Sequence, residues 1–132
     1  MLFRSITGAN GLLGNSFKRI LKTSDVYFAT RKDADLTSFD ETISLFEKIK
    51  PQFVIHLAAL VGGIGGNSQS SGEYFINNIK LNINVLDVAR KFKVQKLISL
   101  MSTCIFPSDG PYPLKSNQIH NGPPHHSNFG YA

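Results

Sequence analysis

Apolar positions along the chain alternate between two rhythms. The opening stretch, residues 2–21 (LFRSITGANGLLGNSFKRIL), begins as a short apolar run. It passes through glycines and becomes a segment with Leu13, Phe17, Ile20 and Leu21 on one side of a helix. Val26 to Thr30 (VYFAT) is β-branched and aromatic, which predicts a second strand. Ser38 and Glu41 then stand at capping-box spacing, and Phe39, Ile43, Phe46 and Ile49 repeat as a helical stripe that Pro51 ends. Gln52 to Ala59 (QFVIHLAA) and Lys96 to Ser102 (KLISLMS) are nearly unbroken apolar runs, the pattern of strands covered on both faces. Strands and helices taking turns in this way predict an α/β fold with a Rossmann-type, doubly wound parallel sheet, truncated after the fourth or fifth strand.

The segment from Tyr74 to Phe92 predicts a long helix with two apolar sides. At about 100° per residue, Phe75, Ile79, Ile83 and Leu86 share one sector, and Leu81, Val85, Val88 and Phe92 share another. Asn77, Lys80, Asn84, Asp87 and Lys91 fill the remaining arc and are expected to face water. One apolar side belongs against the sheet. The second needs a neighbouring helix, from later in a longer chain or from a second copy, and the expectation is a homodimer formed through this helix in the complete protein.

Composition narrows the function. With 42% hydrophobic and 17% charged residues the chain reads as globular rather than disordered. Its apolar runs fall well short of the ~20 residues of a membrane span, and its first residues lack the features of a signal peptide, so a cytoplasmic protein without membrane association is expected. The net charge of +5 comes from Lys and Arg scattered singly or in pairs, which argues against a nucleic-acid partner. Cys104 is the one cysteine of the sequence, so an intrachain disulfide and a cage of several thiolates are both excluded.

Three places carry chemistry. TGANGLLG spaces Gly8, Gly11 and Gly14 after a strand and before a helix, where missing side chains let backbone N–H groups approach a pyrophosphate. Gly8, Ala9, Asn10, Gly11, Leu12, Leu13 and Gly14 are therefore candidate cofactor ligands. At the tip of the second strand an acidic residue would suit the ribose of NAD. Arg31 and Lys32 stand there instead and suit the 2′-phosphate of NADP, while Asp35 and Leu36 either read the adenine or form a polar turn leading into the capped helix. Ser102 ends an apolar strand and Tyr131 follows a loop rich in Pro and Gly. Together they fit carbonyl reduction, with Ser102 bonded to the ketone oxygen and Tyr131 supplying the proton. A phenol titrates near ~10 and needs a cation to cycle at neutral pH; a lysine one helical turn later would provide it.

TGANGLLG, HLAA, STCIFP and HNGPPHHSNFGY together resemble the extended short-chain dehydrogenase/reductase family. AALVGGIGGN (Ala58 to Asn67) and STCIFP narrow the resemblance to members that epimerise GDP-4-keto-6-deoxy-D-mannose at C3 and C5 and reduce it at C4 with NADPH. The resemblance implies that Ser102 and Tyr131 belong to a Ser-Tyr-Lys set and that Leu57, Ala58 and Ala59 line the nicotinamide side of the crevice. It also implies that Cys104 is an epimerisation acid/base, a role open to a thiol because the C4 ketone acidifies the protons on C3 and C5. The family's lysine, its histidine acid/base and its substrate-binding C-terminal region would lie beyond residue 132. The chain is thus expected to be the N-terminal part of an NADP-binding domain, unstable and without turnover alone. His120, His125 and His126 are expected to shape a loop, and His56 to be a satisfied core histidine. Arg4 and Ser5 depart from the apolar residues usual in the first strand. A non-catalytic NADP-binding module remains the alternative from another class, and a nucleotide-sugar 4-epimerase or dehydratase the alternative within the family.

Overall fold

The computed structural model describes residues 3–126, which form two compact units. Residues 3–59 and 78–100 make the first unit, residues 60–77 and 101–126 the second.

The first unit holds a parallel sheet of four strands, β1 (Arg4–Thr7), β2 (Val26–Phe28), β3 (Phe53–His56) and β4 (Lys96–Ser99), in the order β2-β1-β3-β4. Ile6 pairs with Phe28 on one side and with Ile55 on the other, and Ile55 pairs with Ile98. The chain starts in the middle, winds outward to β2, then returns past β1 to β3 and β4. The direction of winding reverses between β1 and β3, and sheets of this kind take their ligands beyond the strand ends at that reversal. The strands are shorter than their apolar runs predict. β4 lies at the edge of the sheet with Ile98 46% exposed, not covered on both faces.

Between the strands run α1 (Leu12–Ile20), α2 (Phe39–Ile49) and α3 (Gly63–Lys91). The α2 stripe packs as its spacing predicts. Phe46, Val54, Val85, Val88 and Ala89 form one core cluster, with the Phe46 and Phe92 rings 5.9 Å apart. Leu45 and Ile49 join Ala29 and Ala34 in another. Ser38 caps α2 by accepting the Glu41 N–H at 3.4 Å, but the return bond of a capping box is not made, because the Glu41 carboxylate accepts the Asp35 N–H instead at 2.8 Å. On α1 the expected apolar side is only partly used. Phe17 and Leu21 are half-buried, whereas Leu13 and Ile20 face solvent and Gly14 alone is buried. Arg4, at the start of β1, forms an ion pair with Asp25, and Ser5 is buried.

α3 begins at Gly63, well ahead of Tyr74. In the second unit a side chain on Gly62 would overlap the Tyr74 hydroxyl and one on Gly66 would reach within 2.8 Å of it, so these glycines make a notch for the Tyr74 ring. Ser70 interrupts the helix with φ −139° and ψ 39°. In the first unit the two-sided pattern holds: Leu81, Val85 and Val88 are buried, while Ile79, Ile83 and Leu86 are exposed. Asn84 is a correction to the solvent face. It is half-buried and donates to the Leu36 carbonyl at 2.9 Å, a tether that an amide at that point of the helix can make and a charged side chain could not make without losing its solvation. Among the described residues no helix is long and apolar enough to cross a membrane.

Candidate functional site

At the C-terminal end of β1 the chain turns sharply, with the Gly11 N–H donating to the Gly8 carbonyl at 3.0 Å. Gly8 has φ +67°, and a Cβ there would lie 2.6 Å from the Ala58 nitrogen, so the glycine turn and the end of β3 touch backbone to backbone. A Cβ on Gly14 would fall 2.5 Å from the Ala9 Cα, which fixes how closely α1 lies against its own turn. The Ala9 N–H donates to the carbonyl of Ala29, just past β2, at 3.1 Å, and Asn10 is held through its Oδ1 by Lys18 at 2.9 Å and through its carbonyl by Asn15 at 3.0 Å. α1 opens at Gly11 with no side-chain cap and no acidic residue in its first turn, so its leading N–H groups are open to an anion; Leu12 and Leu13 beside them are exposed. The cradle from Gly8 to Gly14 therefore fits a pyrophosphate, with Leu57 and Ala58 against it.

Thr7 ties the two strand ends together, a role the sequence reading misses although Thr7 directly precedes Gly8. Its Oγ1 accepts the N–H groups of Leu57 (3.2 Å) and Ala58 (3.3 Å) and lies 2.6 Å from His56 Nδ1. With both lone pairs engaged, the hydroxyl donates to Nδ1, and the neutral imidazole carries its proton on Nε2. His56 is buried and Nε2 has no hydrogen-bond partner among the described residues, so it is half satisfied rather than satisfied. Burial lowers its pKa to about 4. Nearby Asn82 opposes that fall without reaching hydrogen-bond geometry.

At the tip of β2, Arg31 and Lys32 are both exposed. Arg31 makes only a loose pair with Asp35, at 4.0 Å. The Asp35 carboxylate also accepts the N–H (3.0 Å) and hydroxyl (2.8 Å) of Thr37, which together lower its pKa, first through the backbone bond. Leu36 packs its side chain against both core clusters. Asp33, also missed from sequence, accepts from Tyr27 and Thr30; the repeated hydroxyl and carboxylate around the strand tip was the available signal.

In the second unit Ser102 and Cys104 share one turn. Ser102 precedes a 3-10 turn, Thr103–Ile105, and its Oγ accepts the Cys104 N–H at 3.1 Å. Cys104 is half-buried. His125 and His126 lie with ring centroids 4.1 Å apart, and Pro107 bridges Pro124. A cleft of about 590 Å³ in this unit, walled by Pro107, Leu114, Gly122 and His126 among others, includes neither Ser102 nor Cys104 in its lining. Among the described residues no cluster suits a metal ion. Tyr131 lies outside the described residues.

The chain is similar to several known proteins. The NAD dependent epimerase/dehydratase family matches residues 5–132. The chain is 48% identical to GDP-L-fucose synthase of Dictyostelium discoideum and 42% identical to a probable GDP-L-fucose synthase of Drosophila melanogaster, in each case over 96% of this chain and 41% of the relative. Among solved structures it is similar to a GDP-L-fucose synthetase from Naegleria fowleri bound to NADP, with a TM-score of 0.83 and 36% identity over 98% of this chain and 40% of the other. The chain thus spans about two fifths of the length of the relatives it matches.

Proposed function

We propose that this chain, which belongs to the NAD dependent epimerase/dehydratase family, is the NADP-binding part of an enzyme that converts GDP-4-keto-6-deoxy-D-mannose to GDP-L-fucose. The glycine cradle holds the pyrophosphate, Arg31 and Lys32 meet the 2′-phosphate, and Leu57 to Ala59 line the nicotinamide side. Bound NADPH supplies the hydride that reduces the C4 ketone. The observation that carries the reading is the Ser102–Cys104 turn. Ser102 Oγ already accepts the Cys104 N–H, which leaves its own proton free to be donated to a ketone oxygen, and a half-buried thiol stands two residues on. Tyr131 then protonates the developing alkoxide, and Cys104 exchanges protons at the carbons that flank the ketone. The lysine that favours the Tyr131 phenolate, the second epimerisation acid/base and most of the substrate grip are assigned to residues outside this sequence. The complete enzyme is proposed to pair as a homodimer through α3.

The test is deuterium incorporation by the full enzyme in D2O. The parent protein is expected to deliver deuterium to C3 and C5 of the product sugar. Cys104→Ser is expected to cut that exchange by about a hundredfold or more, the usual scale for losing an acid/base group, while reduction of the ketone persists. Exchange at the parent rate in the variant would overturn the role given to Cys104, and a parent protein that turns over without deuterium entering C3 would overturn the reading in favour of a 4-epimerase or dehydratase.

A further inference from the structure

We propose that Tyr27, Thr30 and Asp33 form a clasp that positions the Arg31–Lys32 turn for an adenosine 2′-phosphate and so sets the preference for the phosphorylated dinucleotide. The inference rests on the dinucleotide reading above and adds to it residues that touch no ligand. The Asp33 N–H donates to the Thr30 carbonyl at 3.0 Å, closing a turn whose two central residues are Arg31 and Lys32. The Asp33 carboxylate folds back over that turn: Oδ2 accepts both the N–H (2.8 Å) and the hydroxyl (2.7 Å) of Thr30, and Oδ1 accepts the Tyr27 hydroxyl at 2.7 Å. Tyr27 belongs to β2, paired with Ser5 of β1, and Ala29 and Ala34 at either end of the turn are buried. The base of the turn is thus fixed in the sheet and core while its two cations stand in solvent.

Two consequences follow from this geometry. An arginine loses up to about 2 kcal/mol of rotamer freedom when it is immobilised, and a turn closed beforehand spares a ligand the further ordering of the backbone that carries it. The second consequence concerns sign. A carboxylate at the strand tip would grip the ribose hydroxyls of NAD and repel a 2′-phosphate. Asp33 is the carboxylate next to Arg31 and Lys32 in the chain, and the clasp turns it toward Thr30 and Tyr27, with no ion pair to Arg31 or Lys32 among the described residues. Its pKa is lowered, first by the Thr30 hydroxyl and then by Tyr27, in keeping with a carboxylate committed to these donors.

The clasp is opened without changing any charge by Tyr27→Phe combined with Thr30→Val. Titrating the protein with NADPH and with NADH by cofactor fluorescence, and competing each with adenosine 2′,5′-bisphosphate, separates the outcomes. The parent is expected to prefer NADPH. The double variant is expected to lose roughly tenfold of that preference, the equivalent of one charge-assisted hydrogen bond, with NADH binding held or improved. Tyr27→Phe alone, which keeps the ring and its packing, is expected to show a smaller loss in the same direction if the double variant folds poorly. Equal weakening toward both cofactors, or an unchanged ratio, would overturn the inference by reducing the clasp to a structural role. Failure of the parent to bind either dinucleotide would instead overturn the reading beneath it.

Discussion

His56 closes β3 with one ring nitrogen engaged and the other buried with no hydrogen-bond partner among the described residues. Its pKa in the folded chain, about 4, is below the 6.5 of an unfolded histidine, and the main cause is burial. Between those values the unfolded chain binds the extra proton and the folded chain does not, so acid favours unfolding there. The histidine leaves stability untouched above pH 6.5 and removes it as pH falls toward 4, by about 3 kcal/mol at most. Asp33 and Asp35, with lowered pKa values, add an acid loss of the same direction. Urea melts at pH 7 and pH 4.5 therefore need a paired control. The parent is expected to lose more stability on acidification than His56→Gln, and equal losses would contradict the buried neutral ring. Sequence shows that His56 is in the core, since it lies inside an apolar run. It does not show which nitrogen is paired, because that depends on Thr7, on a strand distant in sequence and adjacent in the sheet. Asp33 was hidden for a related reason: beside Arg31 and Lys32 a carboxylate reads as ordinary surface charge until the turn folds it back.

Among the elements, the end of α3 shows how local chemistry and geometry part company. The Val94 N–H donates to Ala89 at 2.9 Å and the Lys93 N–H to Arg90 at 3.1 Å, the two bonds of a Schellman closure. Val94 then packs against the cluster that contains Ala89. The residue in the left-handed position of that closure is Lys93, with φ 53°, where glycine would carry no steric penalty. Lys93→Gly is expected to stabilise the fold by roughly 1 kcal/mol, read as a higher urea midpoint with an unchanged slope. A lower midpoint would show that the lysine side chain contributes more than its backbone strain costs. Helix ends marked by composition were legible from sequence: Ser38 opens α2 and Pro51 follows its end. Those set by tertiary contact were not. The start of α3 passes through glycines that weaken a helix, and the Tyr74 ring accounts for Gly62 and Gly66 but not for Gly63 or Gly65.

At the scale of the whole molecule, the parallel sheet and the two-sided α3 follow from the sequence pattern, because apolar period and the alternation of strand with helix survive averaging over neighbours. What covers the second side does not, since periodicity marks a face without naming its partner. Ile83 is 58% exposed and Leu86 49%, on the same helix sector as Ile79, and all three belong to the unit whose edge strand leaves Ile98 and Leu100 open. Burying such side chains fully stabilises an association by about 1.5–3 kcal/mol each, and their half-exposure still leaves a sizeable part of that. Against it stands a net charge of +5, whose repulsion is screened beyond about 8 Å at physiological salt. The apolar term wins, so the 132-residue chain is expected to self-associate at micromolar concentration in sedimentation velocity runs. Ile83→Lys combined with Leu86→Glu leaves the net charge unchanged and removes two neighbouring apolar groups from one sector. That variant is expected to sediment as a monomer, or with an association constant at least tenfold weaker, while its melting curve stays close to the parent's because neither side chain enters the core clusters. A parent chain that remains monomeric across that range would show that this face does not recruit a second copy, and the homodimer through α3 would fall with it.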